Sequence, residues 1–217
     1  MKQIEPIALF RSPFTTKFGI PRQSGLVEEL RGRIVFEQDY RHPDAIRGLE
    51  NFDYIWLIWG FSANKDSRSL TVRPPRLGGN ERLGVFATRS PFRPNGLGLS
   101  AVRLMEISGG ELIVSGADLM DGTPIYDIKP YIPYADSHAD ARGGFTDNRQ
   151  WRQLTVVFPD ELRSRVGAQA DEIIRTLSLD PRPHYHDDPQ RVYGMPFAGR
   201  DIKFRVDGDI LTVVAVD

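Results

Sequence analysis

Short apolar runs, separated by clusters of glycine and proline, dominate the first two thirds of the chain. The longest run covers residues 52–61 and has large apolar side chains at odd and even positions alike, which predicts a buried central strand. Further strands are predicted at residues 34–36, 83–88, 99–107 and 111–119, with Gly109-Gly110 as a hairpin turn between the last two. Several short strands of this kind are typical of a barrel or a sandwich.

The last third follows a different pattern. Residues 159–161, Pro-Asp-Glu, are typical of a helix start. Apolar residues then recur at three- and four-residue steps, at Leu162, Val166, Ala170, Ile173, Ile174 and Leu177. Two alternating runs, residues 201–206 and 210–216, flank Asp207-Gly208 and predict a hairpin. We therefore predict a mainly β chain with some α, divided into a domain of residues 1–150 and a small α+β domain of residues 151–217.

Composition excludes several kinds of chemistry. The chain has no cysteine, which excludes disulfides, thiolate nucleophiles and cysteine-ligated metal centres. His184 and His186 could share one face of a strand, but no further ligands can be placed beside them, so we predict no metal site. No apolar run approaches the roughly 18 residues of a membrane helix, and residues 1–10 do not resemble a signal peptide. We expect a cytoplasmic protein without a membrane segment.

Positive charge is concentrated in one stretch, although the net charge of the whole chain is only −1. Residues 68–103 include seven arginines, no lysine and a single acidic residue, Glu81. Arginine binds phosphates and carboxylates through two hydrogen bonds and stacks on bases, so this stretch predicts an anionic partner. The alternative is a solvated arginine-rich loop.

Two loops combine a constrained backbone with polar side chains. Residues 18–25 contain one proline and two glycines around Arg22, Gln23 and Ser24. Residues 87–100 contain two prolines and two glycines around Arg89 and Arg93, which could grip a carboxylate or a phosphate. The alternatives are a surface turn in the first case and a proline-locked turn with solvated arginines in the second. The coincidence of so many special backbone residues with two arginines favours a functional loop at residues 87–100.

A third loop, residues 118–131, contains the turn Asp121-Gly122, which Pro124 stiffens. Asp127 and Lys129 follow two residues apart on an extended segment, so they should lie on one face. An isolated pair of this kind is usually a surface ion pair worth about 0–1 kcal/mol.

Taken together, these segments resemble the tRNA threonylcarbamoyladenosine N6-methyltransferase family (TrmO-like, also called YaeB-like, with a TsaA-like barrel domain). The matching segments are Gly19-Ile20-Pro21-Arg22-Gln23, residues 52–56, residues 88–100 and residues 121–131. Residues 180–186 and 191–194 resemble the small C-terminal domain of longer members. The family pattern differs at one position, where many members have a histidine and this chain has Ser62.

The resemblance implies a β-barrel that binds S-adenosylmethionine (SAM), a homodimer with SAM near the subunit interface, and methylation of N6 of threonylcarbamoyladenosine at position 37 of a threonine tRNA. Carried over by motif, the SAM-binding residues would be Pro21, Arg22, Gln23, Ser62, Ala63, Arg89, Leu99, Asp121, Gly122, Thr123 and Pro124. The C-terminal domain would contact tRNA through Arg182, His184 and Arg191, or would be purely structural.

The catalytic residues are a hypothesis. The target N6 belongs to a urea-like group with an acidic proton, so a carboxylate could remove it, with Asp127 the first candidate and Asp121 the second. Lys129 could tune Asp127 or contact RNA, and Arg93 or Arg89 could bind the threonyl carboxylate. Two alternatives stay open, namely a SAM-dependent methyltransferase acting on another RNA or a small molecule, and a non-catalytic RNA-binding barrel.

Overall fold

Six antiparallel strands close into a barrel in the computed structural model, which describes residues 3–64, 67–74, 81–147, 153–183, 186 and 188–217. The barrel strands are β1 (Ala8–Arg11), β2 (Arg31–Phe36), β3 (Tyr54–Gly60), β6 (Leu97–Ser108), β7 (Glu111–Ser115) and β8 (Pro124–Pro130). Their order around the barrel is β1-β2-β7-β6-β3-β8, and β8 closes it by pairing with β1. A separate two-stranded ribbon consists of β4 (Thr71–Val72) and β5 (Leu83–Gly84). The predicted combination of a barrel with a small α+β domain is confirmed.

Strand alternation fills the barrel. Along β3, Ile55, Leu57 and Trp59 point inward and are buried. Their neighbours Tyr54 and Trp56 lie on the outer face and are partly exposed, so the prediction that both faces of this strand are buried was wrong. The strand is nevertheless central, because β6 pairs with one of its edges and β8 with the other.

Two predicted strands end earlier than the apolar pattern indicated. In residues 83–88 only β5 is extended, and residues 85–87 form a 3₁₀ turn that buries Val85 and exposes Phe86. In residues 111–119, β7 stops at Ser115 because Gly116 adopts a positive φ of 74°. Hydrophobicity alone does not distinguish an extended residue from one in a tight turn.

The C-terminal part contains a mixed sheet with the order β10-β11-β12-β9. Its strands are β9 (Thr155–Val157), β10 (Tyr193–Phe197), β11 (Arg200–Asp207) and β12 (Ile210–Val216), and β9 runs parallel to β12. The predicted hairpin is present, but its two-residue turn is Gly208-Asp209, since Asp207 pairs with Ile210.

The four helices of the described residues are short. They are α1 (Pro43–Ile46), α2 (Pro133–Asp136), α3 (Asp160–Val166) and α4 (Ala170–Ser178). The single helix expected after residue 159 is interrupted at Gly167, whose φ is 57°. No helix within the described ranges has the length and apolarity that a membrane crossing requires.

The core of the C-terminal sheet includes residues from the beginning of the chain. Phe14, Val27 and Leu30, all from the segment between β1 and β2, are buried together with Ile173 of α4 and Phe204 of β11. The barrel has its own core around Phe10, Ile34, Leu112 and other residues. The segment between β1 and β2, residues 12–30, is therefore covered by the C-terminal sheet rather than by the barrel to which its flanking strands belong.

Candidate functional site at one end of the barrel

The three motif loops meet at one end of the barrel. Because neighbouring barrel strands are antiparallel, the C-terminal ends of β1, β3 and β7 lie at the same end as the N-terminal ends of β2, β6 and β8. Residues 12–30, 61–64, 88–96 and 116–123 extend from these strand ends. We call this the loop end. Ten of the eleven proposed SAM-binding residues lie in the loops here or at the first residue of β8, and Leu99 lies three positions into β6.

Residues 12–30 contact the other loops at the loop end. The side-chain carbonyl of Gln23 accepts a hydrogen bond from the Arg89 guanidinium, which joins the first motif loop to the second. The Lys17 ammonium donates to the backbone carbonyl of Ala63 at 3.1 Å, which brings in the loop after β3. Ser62, next to Ala63, is exposed. Gln23, Arg89 and the loop 61–64 thus border the same segment.

The turn at Asp121-Gly122 is fixed against the start of the same segment. An Asp121 carboxylate oxygen accepts from the Ser12 backbone N–H at 3.1 Å, and Arg11 lies 3.7 Å from the carboxylate. Gly122 has a φ of 74° and donates its N–H to the carbonyl of Phe10. Thr123 is buried. Asp121 therefore stabilises the turn, which makes it a weaker candidate for proton transfer than Asp127.

Arg22 points toward the C-terminal domain. Its guanidinium donates to the backbone carbonyl of Asp180 at 3.5 Å. Burial lowers the pKa of Arg22 from its ordinary value, and the negative charge of Asp180 acts against that shift. Pro21 beside it is buried. Pro21 therefore anchors the loop, and Arg22 links it to residue 180.

Asp118 forms a hydrogen-bonded chain that the sequence did not reveal. The indole N–H of the buried Trp59 donates to the hydroxyl of Ser100 at 2.9 Å, and that hydroxyl donates to an Asp118 carboxylate oxygen at 2.6 Å. The backbone N–H of Ser24 and the charge of Arg89 also act on this carboxylate. The Asp118 carboxylate thus interacts with residues of two motif loops, residues 18–25 and residues 87–100.

The outer wall of the barrel holds the proposed catalytic pair. Asp127 lies opposite Ile58, which in turn lies opposite Leu99, so a proposed base and a proposed SAM contact are two strands apart, about 10 Å. Lys129 lies 3.0 Å from the Asp127 carboxylate, and both side chains are exposed. The predicted shared face is confirmed, and the pair is a surface ion pair on a wall beside the loop end.

Arg93 has a structural contact within its own loop. One of its guanidinium nitrogens donates to the backbone carbonyl of Thr88 at 3.0 Å, which ties the two ends of the turn together. Asn95 in the same turn has a φ of 66°, a conformation that asparagine tolerates better than most residues. Arg93 is only partly exposed, whereas Arg89 is exposed, so Arg89 is the more accessible guanidinium for a ligand.

Two family models cover most of the chain. The model of the tRNA-methyltransferase O N-terminal domain matches residues 9–137, and that of the TrmO C-terminal domain matches residues 152–217. The chain belongs to the TrmO family.

Individual TrmO-family proteins are similar over the full length. The chain is 38% identical, over an alignment of 229 positions including gaps, to the tRNA (adenine(37)-N6)-methyltransferase of Escherichia coli K12. The alignment covers 99% of this chain and 97% of the relative. A relative from Pseudomonas aeruginosa, 43% identical over 92% of this chain and 90% of its own, carries a name that places it among the S-adenosylmethionine-dependent methyltransferases. A crystal structure of TrmO from the same species superposes with a TM-score of 0.84 at 35% identity, covering 100% and 97% of the two chains.

Of the residues at this TrmO loop end, Trp59, Ser100 and Asp118 were missed by the sequence interpretation. The signal in the sequence was Asp118 itself, a carboxylate that directly follows the apolar and small residues 112–117. A lone carboxylate at the end of a buried strand needs a hydrogen-bonding partner. Its partner is not visible in the sequence, because Ser100 alternates with apolar residues on a different strand.

Asp118 gives a pH-dependent prediction for this TrmO-family protein. Burial raises the pKa of the Asp118 carboxyl above its ordinary 3.8, although the Ser100 hydrogen bond and the Arg89 charge act in the opposite direction. The folded state therefore holds this proton more tightly than the unfolded chain, so the contribution of Asp118 to the free energy of unfolding decreases as pH rises from 3.8 through the raised pKa. Asp118→Asn removes that dependence.

We expect the unfolding free energy of the parent, minus that of Asp118→Asn, to fall with rising pH in this window and to become constant above it. Urea unfolding of both proteins from about pH 4 to about pH 8 measures the difference. A difference that stays constant across the range would show that Asp118 titrates as it does in the unfolded chain.

Proposed function

We propose that this protein transfers the methyl group of SAM to N6 of the modified adenosine at position 37 of a tRNA, with threonylcarbamoyladenosine in a threonine tRNA as its substrate. The observation that carries the tRNA methyltransferase activity is the full-length similarity to the E. coli enzyme named for that reaction. The threonylcarbamoyl group and the choice of tRNA follow from the family resemblance of the motifs. Such a substrate implies that the protein works in the cytoplasm.

The loop end has groups that suit SAM. SAM supplies a methyl group activated by a positively charged sulfur. Its amino-acid and ribose parts need several hydrogen-bonding groups, and the loop end offers Gln23, the exposed Arg89 and the backbone carbonyls of the turn Asp121-Gly122. Open space lies beside Gly122, since a Cβ added there would have no atom within 4 Å, so a ligand can approach the backbone of this turn. Leu99, exposed on β6, offers an apolar contact beside them.

For the acceptor, we propose that Asp127 removes the N6 proton and that Arg89 or Arg93 binds the threonyl carboxylate. An ion-paired carboxylate on an exposed wall can accept a proton from a urea-like N–H that is held in line with the methyl group. Lys129, 3.0 Å from Asp127, holds that carboxylate in one orientation. A guanidinium matches the planar geometry of a carboxylate, which favours arginine for the second role.

Transfer of labelled methyl from SAM to purified tRNA tests this proposal. The two substrates are threonine tRNA that carries threonylcarbamoyladenosine and the same tRNA without it. Label in the modified tRNA alone is the expected result. Label in both tRNAs would show a methyltransferase with a different target. SAM binding by calorimetry without any label would direct the search to another acceptor, and failure to bind SAM would favour a non-catalytic RNA-binding barrel.

Exposed aromatic rings in the arginine-rich stretch suggest where tRNA binds. Phe86 is 75% exposed on the 3₁₀ turn after β5, and Phe92 is exposed in the following loop. Among the arginines of this stretch that the structure describes, five are exposed, namely Arg68, Arg73, Arg82, Arg89 and Arg103. Aromatic rings beside guanidinium groups are typical of surfaces that bind single-stranded RNA, because bases stack on the rings while arginines neutralise phosphates.

Phe86→Ala is expected to weaken tRNA binding by about 10-fold, since stacking on one base contributes ~1–3 kcal/mol. The SAM dissociation constant should not change. Filter binding with the modified tRNA measures the first quantity and calorimetry the second. Tyr134→Ala is a matched control, because Tyr134 is 91% exposed but lies beyond the far end of β8. Equal losses in both variants would contradict a specific RNA contact at Phe86.

We also propose a homodimer that covers the outer wall of β3 and β6. Leu99 is 56% exposed there, and Tyr54 and Met105 are exposed on the same wall. Several exposed apolar side chains on one wall are typical of protein interfaces. We expect light scattering to give twice the chain mass of 24.5 kDa and Leu99→Asp to give a monomer with weaker SAM binding. A monomeric parent protein would contradict the proposal.

A further inference from the structure

The segment that carries Arg22 and Gln23 is packed into the C-terminal domain. The ring of Phe14 meets that of Phe197 edge to face, with centroids 5.2 Å apart, and Phe18 stacks on Phe204 at 6.4 Å. Gly19 lies so close to the sheet that a Cβ there would be 2.5 Å from the sulfur of Met195. The backbone of residues 12–30 is thus held in place by strands β10 and β11.

A polar contact accompanies this packing next to the proposed SAM residues. Arg182 donates two hydrogen bonds to the Asp180 carboxylate, at 2.8 and 3.0 Å. The Arg182 side chain is only 12% exposed and that of Asp180 25%. The backbone carbonyl of Asp180 accepts the hydrogen bond from Arg22. Arg182 therefore fixes the residue that meets Arg22.

The geometry suggests a different role for Arg182 from the tRNA contact expected from the sequence. A bidentate, mostly buried pair presents little of its guanidinium to a nucleic acid. Arg191 differs, because it is exposed and lies over the Tyr193 ring at 5.3 Å from the centroid. His184, the third candidate, lies outside the described residues.

We infer that Asp180 and Arg182 are positioning residues of the SAM site. Through them the C-terminal domain sets the SAM affinity of a site whose other residues belong to the barrel and its loops. The inference rests on the proposed role of Arg22 in SAM binding. Asp180 acts in two ways, since its carbonyl accepts from Arg22 and its negative charge attracts the same guanidinium. Arg182 keeps the carboxylate in place. A change at residues 180–182 should therefore alter SAM binding although neither side chain contacts SAM.

Two variants, Asp180→Asn alone and together with Arg182→Met, separate an effect on SAM positioning from an effect on stability. Asparagine tolerates the positive φ of 51° at this position and keeps the shape of the side chain, but it removes the charge. The single variant removes one charge from a largely buried ion pair, and it should lower the melting temperature. The double variant Asp180→Asn with Arg182→Met removes both charges and should recover most of that loss.

The expected result is that both variants bind SAM about 10-fold more weakly by calorimetry, even though the double variant has regained its melting temperature. The KM for SAM should rise while kcat at saturating SAM stays unchanged. The control is Arg163→Met, which breaks an ion pair with Asp171 in the same domain, away from Arg22, and should leave SAM affinity unchanged.

Two outcomes would overturn the inference. If Arg22→Ala weakens SAM binding while the double variant binds as tightly as the parent, Asp180 and Arg182 stabilise the fold without positioning the site. If Arg22→Ala itself binds SAM as the parent does, Arg22 is not a SAM residue, and the inference falls together with that part of the proposed function.

Discussion

Asp127→Asn is expected to lower kcat for methyl transfer by about 100-fold, the lower range for loss of a general base. The SAM dissociation constant should stay unchanged, because Asp127 lies on the outer wall of β8, opposite Ile58, and not in the loops proposed to hold SAM. Asparagine keeps the size of the side chain and can still accept from the Ile128 backbone N–H, so the strand should not be disturbed. Single-turnover methyl transfer with saturating SAM and tRNA measures the effect.

Glu111→Gln is the matched control for Asp127→Asn. It removes another carboxylate from the barrel wall, one that pairs with Arg33 at 3.2 Å, and kcat should be unchanged. An Asp127→Asn protein with full turnover would exclude Asp127 as the base. The reaction would then rely on alignment of N6 with the methyl group alone, or on a base outside β8.

Gly98→Ala is expected to destabilise the protein by about 1–3 kcal/mol, the usual cost of an added methyl group in a packed core. A Cβ at this position would lie 2.3 Å from the indole ring of Trp59. The ring has little room to move, because it is buried and its N–H is hydrogen-bonded to Ser100. Displacing it should also disturb the link from Ser100 to Asp118, and therefore weaken SAM binding together with stability.

Urea unfolding and calorimetry with SAM check this second prediction. Gly84→Ala is the control, because Gly84 has a φ of −57° and a methyl group added there would have no atom within 4 Å, so its stability should change by less than about 0.5 kcal/mol. A Gly98→Ala protein as stable as the parent would mean that Trp59 can relax. Lost stability with unchanged SAM affinity would separate the Trp59–Ser100–Asp118 chain from the cofactor site.

The barrel strands were predictable because the signals for them come from residues that are close together in the sequence. The continuous apolar run at residues 52–61 is a local signal, and the Gly109-Gly110 hairpin joins strands that are adjacent in sequence. The short turn at residues 85–87 was not predictable, because Val85 and Phe86 are as apolar as strand residues. Whether Val85 and Phe86 continue the strand or enter a turn depends on the residues that pack over Val85.

The family motifs located the loops of the candidate site, but not the contacts among them. Hydrogen bonds such as Ser100 to Asp118, and Arg22 to Asp180, join residues that are far apart in the chain. The hydrophobic periodicity of the sequence carries no information about such long-range pairs. For the same reason the two predicted domains looked independent, whereas Phe14 and Leu30 are buried in the core of the second one.

The shared core has a consequence for how the chain folds during synthesis. Phe14, near the beginning, packs on Phe197, near the end, and the Ala198 N–H bonds to the carbonyl of Pro13. Contacts across nearly the whole chain form late, because the loop between them must close first. A nascent barrel emerging from the ribosome can pair its six strands, but residues 12–30 gain their final packing only after β10 and β11 have been translated. The enzyme should therefore acquire SAM affinity only after β10 and β11 have been made, and chains truncated before β10 should retain a barrel while lacking that affinity.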